Sequence, residues 1–92
     1  MSKWEKLILR IKSLDKNMRF EELQKVLESY GYEINAPKGG SSHYTFRKDN
    51  EKAITIPKHK PVKVFYVALV KEIVEMEEKK HENNWWLHEF TL

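Results

Sequence analysis

The sequence predicts an α+β fold in which helices cover one face of a three-stranded antiparallel sheet and leave the other face open. Three observations lead there. Apolar residues recur at helical spacing up to Tyr30, the period changes to two between Tyr32 and Ile56, and a long apolar-periodic run follows. The predicted order is α-α-β-β-β-α.

Ser2-Lys3-Trp4-Glu5 has the spacing of a capping box, in which two side chains satisfy backbone N–H groups at a helix start. Trp4, Leu7, Ile8, Ile11 and Leu14 then mark one apolar face, so residues 3–13 form an amphipathic helix. Asp15-Lys16-Asn17 is a turn. A second helix runs from Phe20 to Tyr30 with Leu23, Val26, Leu27 and Tyr30 on one side, and Gly31 ends it. Residues 32–36 read as a first strand, stopped by Pro37 and Gly39-Gly40. In the second strand, residues 42–48, Tyr44 and Phe46 point one way and His43, Thr45 and Arg47 the other. Asp49-Asn50-Glu51 is turn chemistry. Residues 53–56 form the third strand, with Ile54 and Ile56 inward and Pro57 as its stop. Residues 64–80 are rich in β-branched side chains, but Phe65, Leu69, Ile73 and Met76 recur every three or four positions, which selects a helix. Asn83-Asn84 is expected to interrupt it. The chain is expected to be a single domain over 1–92, with an N-terminal helical extension (1–17), a core (18–80) and an aromatic tail (81–92).

Composition narrows the function classes. A chain this short buries about 60–65 % of its unfolded surface, so its stability margin is thin. There is no cysteine, which leaves neither disulfides nor thiolate metal sites and fits a reducing cytosol. No apolar run approaches the roughly 18 residues of a membrane span, and the charged, amphipathic start is unlike a signal peptide. A soluble cytoplasmic protein is expected. The net charge of +3 is unevenly distributed. Residues 1–35 are nearly balanced, residues 36–66 carry seven Lys/Arg against Asp49 and Glu51, and residues 67–92 are acidic. A basic patch of this kind draws in polyanions such as nucleic acid. A merely solvated lysine-rich surface is the plain alternative.

The basic third contains Gly39-Gly40-Ser41-Ser42-His43-Tyr44-Thr45-Phe46. Glycines before a strand let the backbone approach a ligand closely, and free N–H groups there bind anions. Ser41 and Ser42 add hydroxyls, and imidazole exchanges a proton near neutral pH. Lys38, Gly40, Arg47 and Lys48 are close in sequence, while Lys58, His59, Lys60 and Lys63 follow the third strand and can reach the same surface from its end. This set suits RNA cleavage without a metal or other cofactor. A base takes the ribose 2′-OH proton, the oxygen attacks the adjacent phosphorus, cations stabilise the added charge, and an acid protonates the leaving 5′-oxygen. Positioned acid–base groups contribute about 10²–10⁴-fold. His43 is the candidate base and His59 the candidate acid, with Lys58 or Lys60 as substitutes. The plain reading is that His43 is an ordinary strand histidine and that Tyr44 and Phe46 are core residues. His81 and His88 lie in the acidic tail. No histidine pair has metal-ligand spacing, and no Gly-x-Ser-x-Gly elbow supports a serine nucleophile.

The run Gly40-Ser41-Ser42-His43-Tyr44-Thr45-Phe46-Arg47, followed after a short hairpin by Ile54-Thr55-Ile56-Pro57-Lys58-His59, resembles the HicA toxins, the YcfA-like mRNA interferases. Arg19-Phe20-Glu21-Glu22-Leu23 and Tyr30-Gly31-Tyr32 are similar to that family's first helix and its exit. The resemblance covers roughly residues 18–75. It implies a double-stranded-RNA-binding-domain-like α-β-β-β-α fold, a metal-independent endoribonuclease acting on mRNA, an essential histidine at His43, and a HicB-type antitoxin partner covering the active face. Two serines precede His43 where the simpler pattern has one, and KPVKVFY follows where many members have a longer glycine-containing loop. The helix at 3–13 and the tail after residue 80 lie outside the family core.

Two other readings stay open at this point. One is a non-catalytic RNA-binding module that uses the same basic face. The other is an interaction subunit working through its tail, in which Trp85, Trp86 and Phe90 make a homo-oligomer or antitoxin contact, since exposed aromatic clusters mark interfaces. Trp4, Trp85 and Trp86 packing on one another or on the domain is the plain alternative.

Overall fold

In the computed structural model the described residues are 2–37, 39 and 42–91, and of residues 81–91 the backbone alone is described. The elements are α1 (Lys3–Lys12), α2 (Phe20–Ser29), β1 (Glu33–Asn35), β2 (His43–Arg47), β3 (Ile54–Pro57) and α3 (Val64–Thr91). The strands form one antiparallel sheet in the order β1-β2-β3. From Phe20 onward the order is α-β-β-β-α, the double-stranded-RNA-binding-domain-like arrangement, with α1 added in front.

Local chemistry sets the helix ends. Ser2 Oγ accepts the Glu5 N–H at 3.1 Å and the Glu5 carboxylate accepts the Ser2 N–H at 3.4 Å, closing the capping box of α1. At the exit of α2, the Gly31 N–H bonds to the Glu28 carbonyl and the Tyr32 N–H to the Leu27 carbonyl, the pattern of a Schellman motif. Gly31 has φ +95°, a backbone region that side chains resist. The same two-bond pattern ends α1, but there Leu14 takes the left-handed position at φ 58°. Packing of the leucine side chain against the core offsets that backbone cost.

The core follows the predicted faces with three departures. Leu7 and Ile11 of α1, Phe20, Leu23, Val26 and Leu27 of α2, Phe46 and Ile56 of the sheet are buried together. The first departure is Trp4, expected on the buried face but 36 % exposed one turn before Leu7. The second is α3, which is the expected helix but turned differently. Val67, Val70 and Val74 are buried, whereas Phe65 is 66 % and Met76 50 % exposed. Both stripes have helical spacing, and the slimmer valines suit close approach of α3 to α1 and α2. Third, α3 continues through Asn83-Asn84. Asparagine is only a modestly poor helix former, so an established helix carries the pair through. Met18 and Val62, in segments read as connections, are both buried and are stitched by a Val62 N–H to Met18 carbonyl bond of 2.9 Å.

Arg10 clamps α1, the connection and α2. Its Nε donates to Asp15 at 2.7 Å, one Nη to Glu22 at 2.6 Å and the other to the Asn17 carbonyl at 3.2 Å. The Arg10 hydrogen bond, with help from the Asn17 N–H, holds the Asp15 carboxyl below the usual carboxylate range. A depressed carboxyl stabilises the fold above its unfolded pKa, and that contribution disappears as pH falls through its folded value. Urea midpoints measured against pH test this. Asp15→Asn is expected to lower the midpoint at neutral pH, and the gap from wild type should close on acidification below about 4. A gap that persisted unchanged in acid would rule the carboxylate out as its cause.

Candidate active site and nucleic-acid interface

The site begins with the pleat of β2. Phe46 is fully buried and its ring lies 5.9 Å from that of Phe20, while the Tyr44 ring lies 5.0 Å from Phe20. These contacts fix one face of the strand on the helices. Period-two alternation then sends His43, Thr45 and Arg47 to the other face. His43 and Arg47 are exposed. The Thr45 and Thr55 hydroxyls meet across the strands at 3.3 Å, and Glu33 and Asn35 of β1 stand opposite Arg47 and Thr45. The outer face is therefore a polar platform. Thr45 was read on this face from the sequence; Thr55 and Glu33 were not, although strand alternation alone would have found them.

His43 starts β2 and faces Pro57, the last residue of β3. The Lys58 N–H donates to the Ser42 carbonyl at 2.8 Å, so the segment leaving β3 runs beside the entry to β2. The topology thus brings Ser42, His43, Lys58 and His59 to one end of the sheet. His59, Lys60 and Lys63 are exposed on the loop between β3 and α3. The Lys58 ammonium turns toward the inward rings, 5.8 Å from the centroids of both Phe20 and Tyr44. Arg47 shares the face of His43 but lies four residues along the strand, about 13 Å away at the usual rise. There it lines a cleft of about 490 Å³ with Glu33, Asn35 and the β2–β3 turn. Arg47 thus stands apart from the His43 end of the sheet, in a cleft it shares with Glu33, Asp49 and Glu51. Lys38, Gly40 and Ser41 lie outside the described residues, as do the side chains of Trp85, Trp86 and Phe90.

The charges divide the molecule. Lys48, adjacent to Arg47, is taken up by Glu77 of α3 at 2.7 Å, Lys12 by Glu78 at 2.6 Å, and Lys80 by Glu51 at 3.3 Å. This flank is acidic enough to act on its tyrosines. Burial pushes the Tyr30 phenol up with help from Glu78 and Glu77, and burial pushes Tyr32 up with help from Glu51 and Glu77. The loop after β3 shows the opposite balance. Among the described residues, no ion pair engages Lys58, Lys60 or Lys63. Nor do three His, Cys, Asp or Glu side chains come together as a metal-ligand group among them. No helix among the described residues is long and apolar enough to cross a membrane.

The two faces of β2 should respond differently to truncation. Phe46→Ala is expected to destabilise the fold by about 3–5 kcal/mol, and Arg47→Ala by no more than about 0.5 kcal/mol. Denaturant titration of the two variants checks this, and equal losses would mean that the strand is not oriented as described.

Residues 20–75 match the family model described as the HicA toxin of bacterial toxin–antitoxin systems, a span running from the start of α2 into α3 and containing His43 and His59. No curated protein and no solved structure matches significantly.

Proposed function

Because the chain belongs to the HicA toxin family of bacterial toxin–antitoxin systems, we propose that it is an endoribonuclease that cleaves mRNA through His43 and is inhibited by a HicB-type antitoxin. The observation that carries this reading is the position of His43. It stands on the open face at the entry to β2, beside a loop whose cations have no ion-pair partner among the described residues.

The chemistry needs little else. An RNA phosphate held at the end of the sheet brings its neighbouring 2′-OH to the imidazole. His43 takes that proton as the oxygen attacks phosphorus, forming a 2′,3′-cyclic phosphate as the P–O5′ bond breaks. A proton from His59 completes the departing 5′-hydroxyl. Lys60 and Lys63 attract the strand, and Lys58, Ser42, Gly40 and Ser41 shape the phosphate site. Arg47 engages a more distant phosphate. The reaction uses only side chains of this chain and proceeds in the cytoplasm, where mRNA is found.

Cleavage of a labelled RNA in excess EDTA tests this directly. Wild type is expected to leave 2′,3′-cyclic phosphate ends, and His43→Ala to lose at least about 10²-fold in rate while still binding RNA. Equal cleavage by both proteins, or binding without cleavage by either, would remove the enzymatic reading.

The antitoxin proposal rests on the same open face. A polar sheet surface with a basic end is covered by a folded partner that offers carboxylates and matching hydrogen bonds. Hydrogen exchange on a co-purified complex should show β2 and the loop at 58–63 gaining protection, with loss of RNA binding. A complex that protected only α1 or α3 and still cut RNA would sink the proposal.

A further inference from the structure

Helix α1 lies outside the family match, yet it contributes to a second basic surface. Between α1 and α2 is a cleft of about 610 Å³, within the size range of small-ligand sites. Trp4, 36 % exposed, lines it together with Lys3, Lys6, Arg19 and Lys25. All four cations are exposed, and among the described residues none of them makes an ion pair. Of the carboxylates on the cleft, Glu22 is taken up by Arg10, which leaves Glu21 as the opposing charge. An indole face framed by cations is the arrangement that holds single-stranded nucleic acid, with a base stacked on the ring and phosphates on the cations.

A chain of contacts joins this cleft to the His43 end of the sheet. The Ser42 carbonyl, next to His43, accepts the Lys58 N–H. The Met18 carbonyl accepts the Val62 N–H from the same loop, and the Lys58 ammonium sits over the ring of Phe20. Arg19 is therefore flanked on both sides by residues in contact with the basic loop, while its own side chain lines the cleft. We propose that the α1–α2 cleft is a second RNA subsite, in which Trp4 stacks a base and Lys3, Lys6, Arg19 and Lys25 hold phosphates of a strand running on from His43. This rests on the RNA-substrate reading above. It makes RNA length, through a helix added to the family core, a determinant of affinity.

The test is binding of labelled single-stranded RNAs of about 4 and about 14 nucleotides to His43→Ala protein, which keeps them intact. Adding Trp4→Ala is expected to weaken the longer RNA about 5- to 150-fold, the range for loss of one stacked base. Its effect on the shorter RNA should be small, and Trp4→Phe should recover most of the loss. Because Trp4→Ala removes a partly packed side chain, Lys3→Ala/Lys6→Ala gives an independent reading on exposed positions. That pair should reduce the log–log salt slope for the longer RNA by about 1.4, from about 0.7 per phosphate contact. If all variants bind the longer RNA as their parent does, the subsite is overturned and the ribonuclease reading stands. Trp4-dependent binding by a wild type that cuts nothing would leave the subsite standing and remove the ribonuclease. Failure of the parent protein to bind either RNA would overturn both.

Discussion

The site depends on how β2 is held. Phe46 is enclosed between Phe20 and the rest of the core, and Tyr44 leans on the same Phe20 ring. A strand has only two faces, so anchoring these rings leaves His43, Thr45 and Arg47 one place to go. Slipping the register by one residue would bury the imidazole and expose the phenylalanine, which the apolar area at stake forbids. The proposed proton-transfer group is thus aimed by packing on the far side of its own strand. The neighbouring Lys58 N–H to Ser42 carbonyl bond then fixes the loop that supplies the other polar groups.

Charge is organised on a larger scale. The acidic residues of α3 bind lysines from α1 and the β2–β3 turn, and Lys80 of α3 reaches back to Glu51. Surface ion pairs of this kind contribute only about 0–1 kcal/mol each, so they do not hold the fold together. Their consequence is electrostatic. They neutralise cations on one flank, whereas Lys58, Lys60, Lys63, Arg19, Lys3 and Lys6 make no ion pair among the described residues.

Much of this architecture was legible in the sequence because its signals are local. The capping box at Ser2-Glu5, Gly31 after α2, and the alternation from His43 to Arg47 each specify a backbone state without reference to distant residues. Three features were not legible, for physical reasons. The apolar stripes of α3 satisfy the same periodicity, and only packing against α1 and α2 selects the valines over Phe65 and Met76. Met18 and Val62 lie in connections with no period to read, and a long-range backbone bond joins them. Lys48 and Lys58 look alike in sequence, but one is consumed by Glu77 and the other rests over aromatic rings. At the site, residue identities were readable while distances were not. His43 and Arg47 share a face, but the strand keeps them too far apart to act on one phosphate.

This last point bears on how so small a fold can handle a long substrate. Chemistry at one phosphate needs groups close to one another, and the entry of β2 and the loop after β3 bring His43 and His59 to one end of the sheet. On the proposed ribonuclease reading, the remaining cations hold and align the RNA that passes through that end. Alignment of this kind counts in catalysis because it converts a diffusive encounter into a positioned one. Helix α1 extends the same logic. It buries Leu7 and Ile11 in the common core and is locked to α2 through Arg10, which makes its exposed side a rigid surface. Trp4 and its neighbouring lysines are thereby held at a fixed offset from His43. A fixed offset is what allows two modest contacts on one RNA strand to reinforce each other.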